Sequence, residues 1–272
     1  PDIVIGVGGY ASGPAVLAAH FMGLPTAIAE QNAIPGETNK ILGRFADRIF
    51  VSFPETARWF RPDRVRVTGN PIRAAIAGGR RRSRKPSEPF TILVFGGSQG
   101  AHRINLAVLE ALPHLAELKE RIRIIHQTGK DDLDTVKQGY GNQSMEAQVL
   151  PFITDMASAY ETADLLVCRA GATSIAEITA SGKAAVFIPF PHAVNDHKTK
   201  NAELLVNRGA AEMIPERELS GESLSGVIRR LAGNPAAVED MERKAGELGN
   251  ARAAADIVDE CMALVLRAKA KA

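Results

Sequence analysis

Twice in this chain an apolar strand runs into a glycine-rich turn and straight on into a helix. The first copy is Ile3-Val4-Ile5-Gly6-Val7-Gly8-Gly9 followed by Ser12-Gly13-Pro14 and a helix through about Met22. The second is Thr91-Ile92-Leu93-Val94-Phe95, then Gly96-Gly97-Ser98-Gln99-Gly100, then a helix over 101–115. Strands alternating with helices build parallel sheets covered on both faces, so the expected fold class is α/β. Further strands are predicted at 26–29, 48–51, 65–68, 122–126, 149–150, 165–168, 184–188 and 212–214. Helices are predicted at 131–140, 155–162, 174–181, 197–208 and 220–232, and the alanine-rich stretch 235–268 reads as a closing helix with Ile257, Val258, Met262 and Val265 at helical spacing. Residues 91–215 then form one doubly wound domain. The part before residue 73 holds fewer elements than the about five or six strands of such a domain. The chain also opens on a strand without an initiating Met, so its natural N-terminus is expected to lie upstream.

Length and composition narrow the classes. A chain of 272 residues accommodates two domains, and 45% hydrophobic with 24% charged residues is a globular balance. A net charge of +2 is too small for a general nucleic-acid binder. No stretch approaches the ~18 consecutive apolar residues of a membrane span. Cys168 and Cys261 match no zinc or redox spacing and read as buried free thiols in a reducing compartment. The boundary is expected over 74–90, whose basic run from Arg80 to Lys85 reads as a solvated linker and would also suit anionic lipid heads.

The turns and strand ends carry the chemistry. Glycines at 96, 97 and 100 let backbone approach a ligand, and the helix that follows aims free N–H groups and a positive dipole end at the same place, which suits phosphate. Ser98 adds a hydroxyl donor. A plain strand-to-helix bend is the competing reading. Gly8-Gly9-Tyr10-Ala11-Ser12-Gly13 is a second such turn, and two facing turns would give anion sites on both walls of a cleft. After strand 165–168 comes Arg169-Ala170-Gly171-Ala172-Thr173-Ser174-Ile175-Ala176-Glu177. Ser174 and Glu177 fit a capping box; alternatively Thr173 and backbone N–H groups face phosphate while Glu177 accepts from a ribose diol. Pro189-Phe190-Pro191-His192 and Asn195-Asp196-His197-Lys198, with Asn201, lie at another strand's carboxyl end. His192, Asp196 and His197 lack a further ligand pair, so no metal is expected, and Asn195 or Asp196 would cap the next helix. Glu30-Gln31-Asn32 and Asn70-Pro71-Ile72-Arg73 complete the set: Asn32 suits a sugar hydroxyl or acetamido group, Arg73 a diphosphate, and a surface salt bridge is the bland reading of Arg73.

Together these segments resemble the MurG family of glycosyltransferases over essentially the whole chain. The resemblance rests on Gly8-Gly9-Tyr10 with Ser12-Gly13-Pro14, Glu30-Gln31-Asn32, Gly69-Asn70-Pro71 with Arg73, Gly96 to Ala101, Arg169-Ala170-Gly171-Ala172, and Asp196-His197 with Asn201-Ala202. It implies a GT-B fold of two Rossmann-like domains with parallel sheets, the first incomplete here. Residues 1–73 would belong to the acceptor-side domain, 91–248 to the domain holding UDP-N-acetylglucosamine, and 249–272 to a helix returning to the first. The implied activity is inverting transfer of N-acetylglucosamine to the lipid-linked muramyl-pentapeptide of peptidoglycan, peripherally at the cytoplasmic leaflet, with no cofactor and no nucleic acid. On the donor side it implies Gly97, Ser98, Gln99 and Arg73 at the diphosphate, the Ile153 backbone at uracil, Ala172, Thr173, Ser174 and Glu177 along the nucleotide with Glu177 on ribose, and Asn32 and Lys198 near the sugar. Gly8, Gly9, Tyr10, Ser12 and Gly13 would face the acceptor pyrophosphate, and Glu30 is the candidate base within this chain. Two departures stand out. Lys198 replaces a frequent glutamine and only donates, and the family's first glycine loop, with its histidine, is expected upstream. A non-catalytic UDP-sugar-binding module and a GT-B-type UDP-N-acetylglucosamine epimerase are the alternatives.

Overall fold

The computed structural model describes residues 1–77, 88–191 and 196–270. Most of the predicted linker, its basic run, His192 and Asn195 lie outside the described residues. The chain divides into two compact units, one of Pro1–Ile72 with the segment from Asn250 onward, the other of Arg73–Gly249.

In the first unit, strands β1 (Val4–Gly6), β2 (Thr26–Glu30), β3 (Arg48–Val51) and β4 (Val65–Val67) form a parallel sheet in sequence order. Period-2 alternation sorts their side chains. Ile28, Ile49 and Val51 join Val16 of helix α1 (Ser12–Phe21), Leu42 of α2 (Glu37–Leu42) and Phe60 in one core. Ala27 and Phe50 point the other way, where Cys261 and Ile257 of the last helix cover them. The stretch 235–268 is two helices rather than one, Pro235–Leu248 and Ala253–Lys269. Gly249 lies where they part, and a Cβ there would fall 2.4 Å from the Thr179 backbone. Beyond it, Asn250 donates through Nδ2 to Thr68 O at 2.9 Å and accepts at Oδ1 from Arg252 N–H. Of the expected apolar stripe, Val265 is buried with Cys261, while Val258 and Met262 face outward. The helix slots into register through Glu260, which pairs with both Arg48 and Arg66.

The second unit contains α3 (Ala74–Ala77), β5 (Phe90–Phe95), α4 (His102–Ala111), β6 (Ile122–Gln127), α5 (Leu133–Asn142), β7 (Ala147–Leu150), α6 (Met156–Thr162), β8 (Leu165–Cys168), α7 (Ala172–Ala180), β9 (Ala184–Phe187), α8 (His197–Val206), β10 (Glu212–Met213), α9 (Gly221–Ala232) and α10 (Pro235–Leu248). The last helix, of the first unit, is α11 (Ala253–Lys269). All six strands are parallel, in the order β10-β9-β8-β5-β6-β7. Counted within the unit this is the doubly wound order, with its reversal between β5 and β8. Ile92 and Val94 of β5 pack with α4, α5 and α9 on one face. Phe95 points to the other and meets Tyr160 of α6 edge-on, with centroids 6.0 Å apart. The helix expected over 101–115 tightens into a 3₁₀ segment at Leu112–Leu118, where Pro113 lacks the N–H that would continue the α-ladder.

One buried polar chain ties β6 to α4 and α5. Asn105 Nδ2 donates to Thr128 O and to Asp132 Oδ2, so its Oδ1 is the acceptor that faces His126 Nε2 at 3.0 Å. His126 is therefore the Nε2–H tautomer, and its Nδ1 accepts from the Tyr140 hydroxyl at 3.0 Å. Burial pushes the Tyr140 hydroxyl upward, which keeps it a donor, and lowers His126 from 6.5 to about 3. A histidine held neutral in the fold but protonated below 6.5 when unfolded stabilises the native state above that pH. The contribution is lost as pH falls from 6.5 toward 3. Urea unfolding between pH 7 and pH 4 should show stability declining with a limiting slope of about 1.4 kcal/mol per pH unit from this residue. His126→Gln should flatten that part of the profile; an unchanged slope would remove His126 as the cause.

Candidate functional site

In register, Phe95 at the end of β5 lies beside Cys168 at the end of β8. The two loops that leave these strands therefore start level, and each leads directly into a helix. Neither helix has a side-chain cap: α4 begins after an extended Ala101 and α7 after Gly171. Two helix N-termini with uncapped N–H groups thus stand side by side where the strand order reverses, the position at which open α/β sheets bind ligands. Gly97, Ser98 and Gln99 are exposed at this end.

The Gly96–Gly100 turn owes its shape to contacts no other residue allows. Gly100 has φ +77°, and a Cβ there would lie 1.9 Å from Thr128 O. Its N–H donates back to Gly97 O at 3.0 Å. Gly97 has φ +97°, but nothing stands within 4 Å of its own Cβ position. One glycine is thus required by the protein's interior, the other faces open space.

On the β8 side, α7 starts at Ala172, two residues before the expected position. Ser174 is consequently inside the first turn, and the Ser174–Glu177 capping box does not form. Glu177 is instead buried and bound bidentately by Arg73, Nε to Oε1 at 2.9 Å and Nη2 to Oε2 at 3.0 Å. The Tyr160 hydroxyl adds a third donor at 3.2 Å to Oε2. Arg73, half exposed, is held in its charged form above all by its hydrogen bond to Glu177. The family resemblance puts Arg73 at the diphosphate and Glu177 at the ribose of one ligand; in the fold they hold each other. Thr173 is exposed at the start of α7, with Ala172 and Ser174 partly so.

Ile153 is buried, and its N–H donates to the Gln127 side chain. With Phe152 it borders a groove of about 760 Å³ that runs past Arg123, Glu146 and Ser158 but contains no residue of the Gly96–Gly100 turn or of α7. Lys198, in the first turn of α8, sits 5.2 Å over the Phe190 ring, and Arg169 lies 5.3 Å from the same ring. Partial burial and the Arg169 charge lower the Lys198 ammonium below its ordinary value. Asp196, with φ +54°, accepts from Thr199 Oγ1 rather than capping the helix backbone.

In the first unit, Gly8 and Gly9 both have positive φ and Tyr10 is fully exposed. The Ser12 hydroxyl donates to Gly8 O at 2.6 Å and so braces this turn from within. Glu30 is buried, and its carboxylate accepts from Asn32 N–H, Asn32 Nδ2, Gly36 N–H and Asn39 Nδ2. Four donors anchor it as the staple of the β2–α2 loop. Tyr160 and Gln127 belong to no motif: each supports a site residue from a different element, 17 and 26 positions away.

Two parallel α/β units with glycine turns at their strand ends are the architecture of GT-B proteins. The model of the glycosyltransferase family 28 C-terminal domain matches residues 91–260, and that of the family's N-terminal domain matches 1–51. A protein of Syntrophus aciditrophicus named UDP-N-acetylglucosamine–N-acetylmuramyl-(pentapeptide) pyrophosphoryl-undecaprenol N-acetylglucosamine transferase is 58% identical, covering 97% of this chain and 73% of its own length. A Myxococcus xanthus protein of the same name is 50% identical over 98% and 70%. Among solved structures, Acinetobacter baumannii MurG superposes with a TM-score of 0.83 at 36% identity, over 96% of this chain and 74% of that one. A Listeria monocytogenes structure described as a UDP-N-acetylglucosamine 2-epimerase reaches 0.71 at 17% identity, a likeness of fold alone. The chain belongs to the MurG family of glycosyltransferases, within family 28.

The two glycines separate fold from site. Gly100→Ala should cost at least about 2 kcal/mol in urea unfolding, from strain and backbone collision together. Gly97→Ala should cost about 1 kcal/mol, the strain of a positive φ alone. Equal losses would show that the turn is not built as described.

Proposed function

We propose that this chain is an inverting transferase that moves N-acetylglucosamine from UDP-N-acetylglucosamine to the lipid-linked muramyl-pentapeptide of peptidoglycan. The membership of the MurG family and the high identity to the named transferases support the reaction; the paired N-termini of α4 and α7 support the donor site. The acceptor hydroxyl attacks the anomeric carbon in line as its bond to UDP breaks. Charge then grows on the departing diphosphate. Ser98, the N–H groups of the two helix starts and Arg73 are the donors on this side of the molecule that meet it.

The Arg73–Glu177 pair gives the donor site a specific way to open. A carboxylate has about four acceptor positions, and three here are taken by protein donors. When the diphosphate draws Arg73 away, two of them become available to the ribose hydroxyls, while Tyr160 keeps Glu177 in place. Ala172, Thr173 and Ser174 follow along the nucleotide, the Ile153 backbone meets the base, and Asn32 and Lys198 are assigned to the sugar. Gly8, Gly9, Tyr10, Ser12 and Gly13 serve the acceptor. The domain roles follow: residues 1–73 on the acceptor side, 91–248 on the donor side, 249–272 as the helix closing the first domain.

Peripheral attachment to the cytoplasmic leaflet is supported by an apolar patch on the first unit. Phe21 and Met22 are about three-quarters exposed at the end of α1. His20, Phe21 and Phe45 cluster ring to ring at 5.5 to 6.5 Å, next to exposed Arg44. Apolar surface rimmed by a cation suits an interface with anionic lipid. Among the described residues no helix is long and apolar enough to cross a membrane. Replacing Phe21 and Met22 by Asp should abolish sedimentation with vesicles containing phosphatidylglycerol and leave UDP binding unchanged.

The reaction is tested by incubating the chain with UDP-N-acetylglucosamine and a short-chain lipid acceptor. Release of UDP with formation of the disaccharide is the expected result. Binding of UDP without turnover would turn the reading toward a binding module, and conversion of the nucleotide sugar without acceptor would turn it toward an epimerase. Glu177→Gln should weaken UDP binding about tenfold in calorimetry, roughly 1.4 kcal/mol, with a much smaller loss in thermal stability; equal losses would make Glu177 structural.

A further inference from the structure

Gln127 is the last residue of β6 and is almost fully buried. Its amide reaches in two directions. Nε2 donates to Gly97 O at 2.7 Å, and Oε1 accepts the Ile153 N–H at 2.9 Å. One side chain therefore connects the glycine turn after β5 with the loop after β7, two segments that come from different parts of the chain and have no ladder pairing of their own.

Each bond has a consequence for a ligand at these loops. The Gly97 carbonyl accepts both from Gly100 N–H and from Gln127, so both of its lone pairs are engaged within the protein. A carbonyl oxygen turned toward the exposed side of this turn would repel a phosphate; this one is held inward. The Ile153 N–H is likewise engaged, and the polar group this residue retains for a base is its carbonyl, an acceptor. An acceptor matches the N3–H of uracil and opposes the N3 lone pair of cytosine. We infer that Gln127 is a positioning residue that sets both the diphosphate turn and the choice of base, without touching the donor itself. This rests on the donor-site reading given under Proposed function.

The two bonds are separable by substitution. Gln127→Glu is nearly isosteric and keeps an acceptor for Ile153, but sets a carboxylate oxygen against the Gly97 carbonyl. Gln127→Met removes both bonds at similar volume. UDP and CDP are titrated into the 272-residue chain and each variant by calorimetry, alongside thermal melts. In Gln127→Glu, UDP affinity should fall about tenfold with the wild-type preference for UDP over CDP retained. In Gln127→Met, UDP affinity should fall at least about tenfold and the preference should shrink to about threefold or less. UDP affinity within about twofold of wild type in both variants would overturn the assignment. So would a loss of melting temperature with the base preference unchanged in both, which is the pattern of a merely structural amide. If Gln127→Met does not fold, Gln127→Leu, which also removes both bonds, takes its place with the same two outcomes. A wild-type chain that does not bind UDP would instead overturn the donor-site reading, and this assignment with it.

Discussion

The pairing of β5 with both β6 and β8 governs this molecule's second unit. Because β5 is the first strand in sequence and lies third from one edge, the chain must wind outward from it in both directions. Right-handed crossovers then lay helices on opposite faces of the sheet. The loops after β5 and β8 are left without a helix between them, and the equal register of Phe95 and Cys168 brings their two helix N-termini level. A pair of uncapped helix N-termini follows from topology before any side chain is considered. The glycine turn refines it: Gly100 is fixed against Thr128, and Gly97 faces outward.

Buried polar groups then secure the loops. Glu177 carries a charge in a mostly closed environment, which costs much unless donors surround it. Arg73 and Tyr160 supply them, and Tyr160 is in turn packed edge-on to Phe95, the residue from which the turn departs. Gln127 links the turn to Ile153, while its neighbour His126 joins Asn105 and Tyr140 beneath. The first unit uses the same device at Glu30, whose four donors hold the β2–α2 loop.

Much of the candidate site was legible residue by residue. Glycines at 8, 9, 97 and 100 announce positive φ because other residues adopt it only with strain, and all four have it. The strands were readable from apolar runs, since both faces of a parallel sheet are covered. Glu30 and Glu177 show where that reading stops. A carboxylate at a strand end has the same local signature whether it meets a ligand, a catalytic proton or the protein's own amides. The capping-box spacing at Ser174 and Glu177 failed for a related reason: α7 is started by Gly171 and the end of β8, which sets the helix two residues earlier than its own sequence suggests.

The class of fold, the glycine turns and the residues at the strand ends can be read along the chain, because they depend on local backbone freedom and on side-chain periodicity. Which polar groups meet cannot. Arg73 and Glu177 are 104 positions apart, Gln127 and Ile153 are 26 apart, and Arg66 and Glu260 are 194 apart. Contacts at such separations are set by strand order and register, and a buried donor is assigned to an acceptor only once the chain has closed around both.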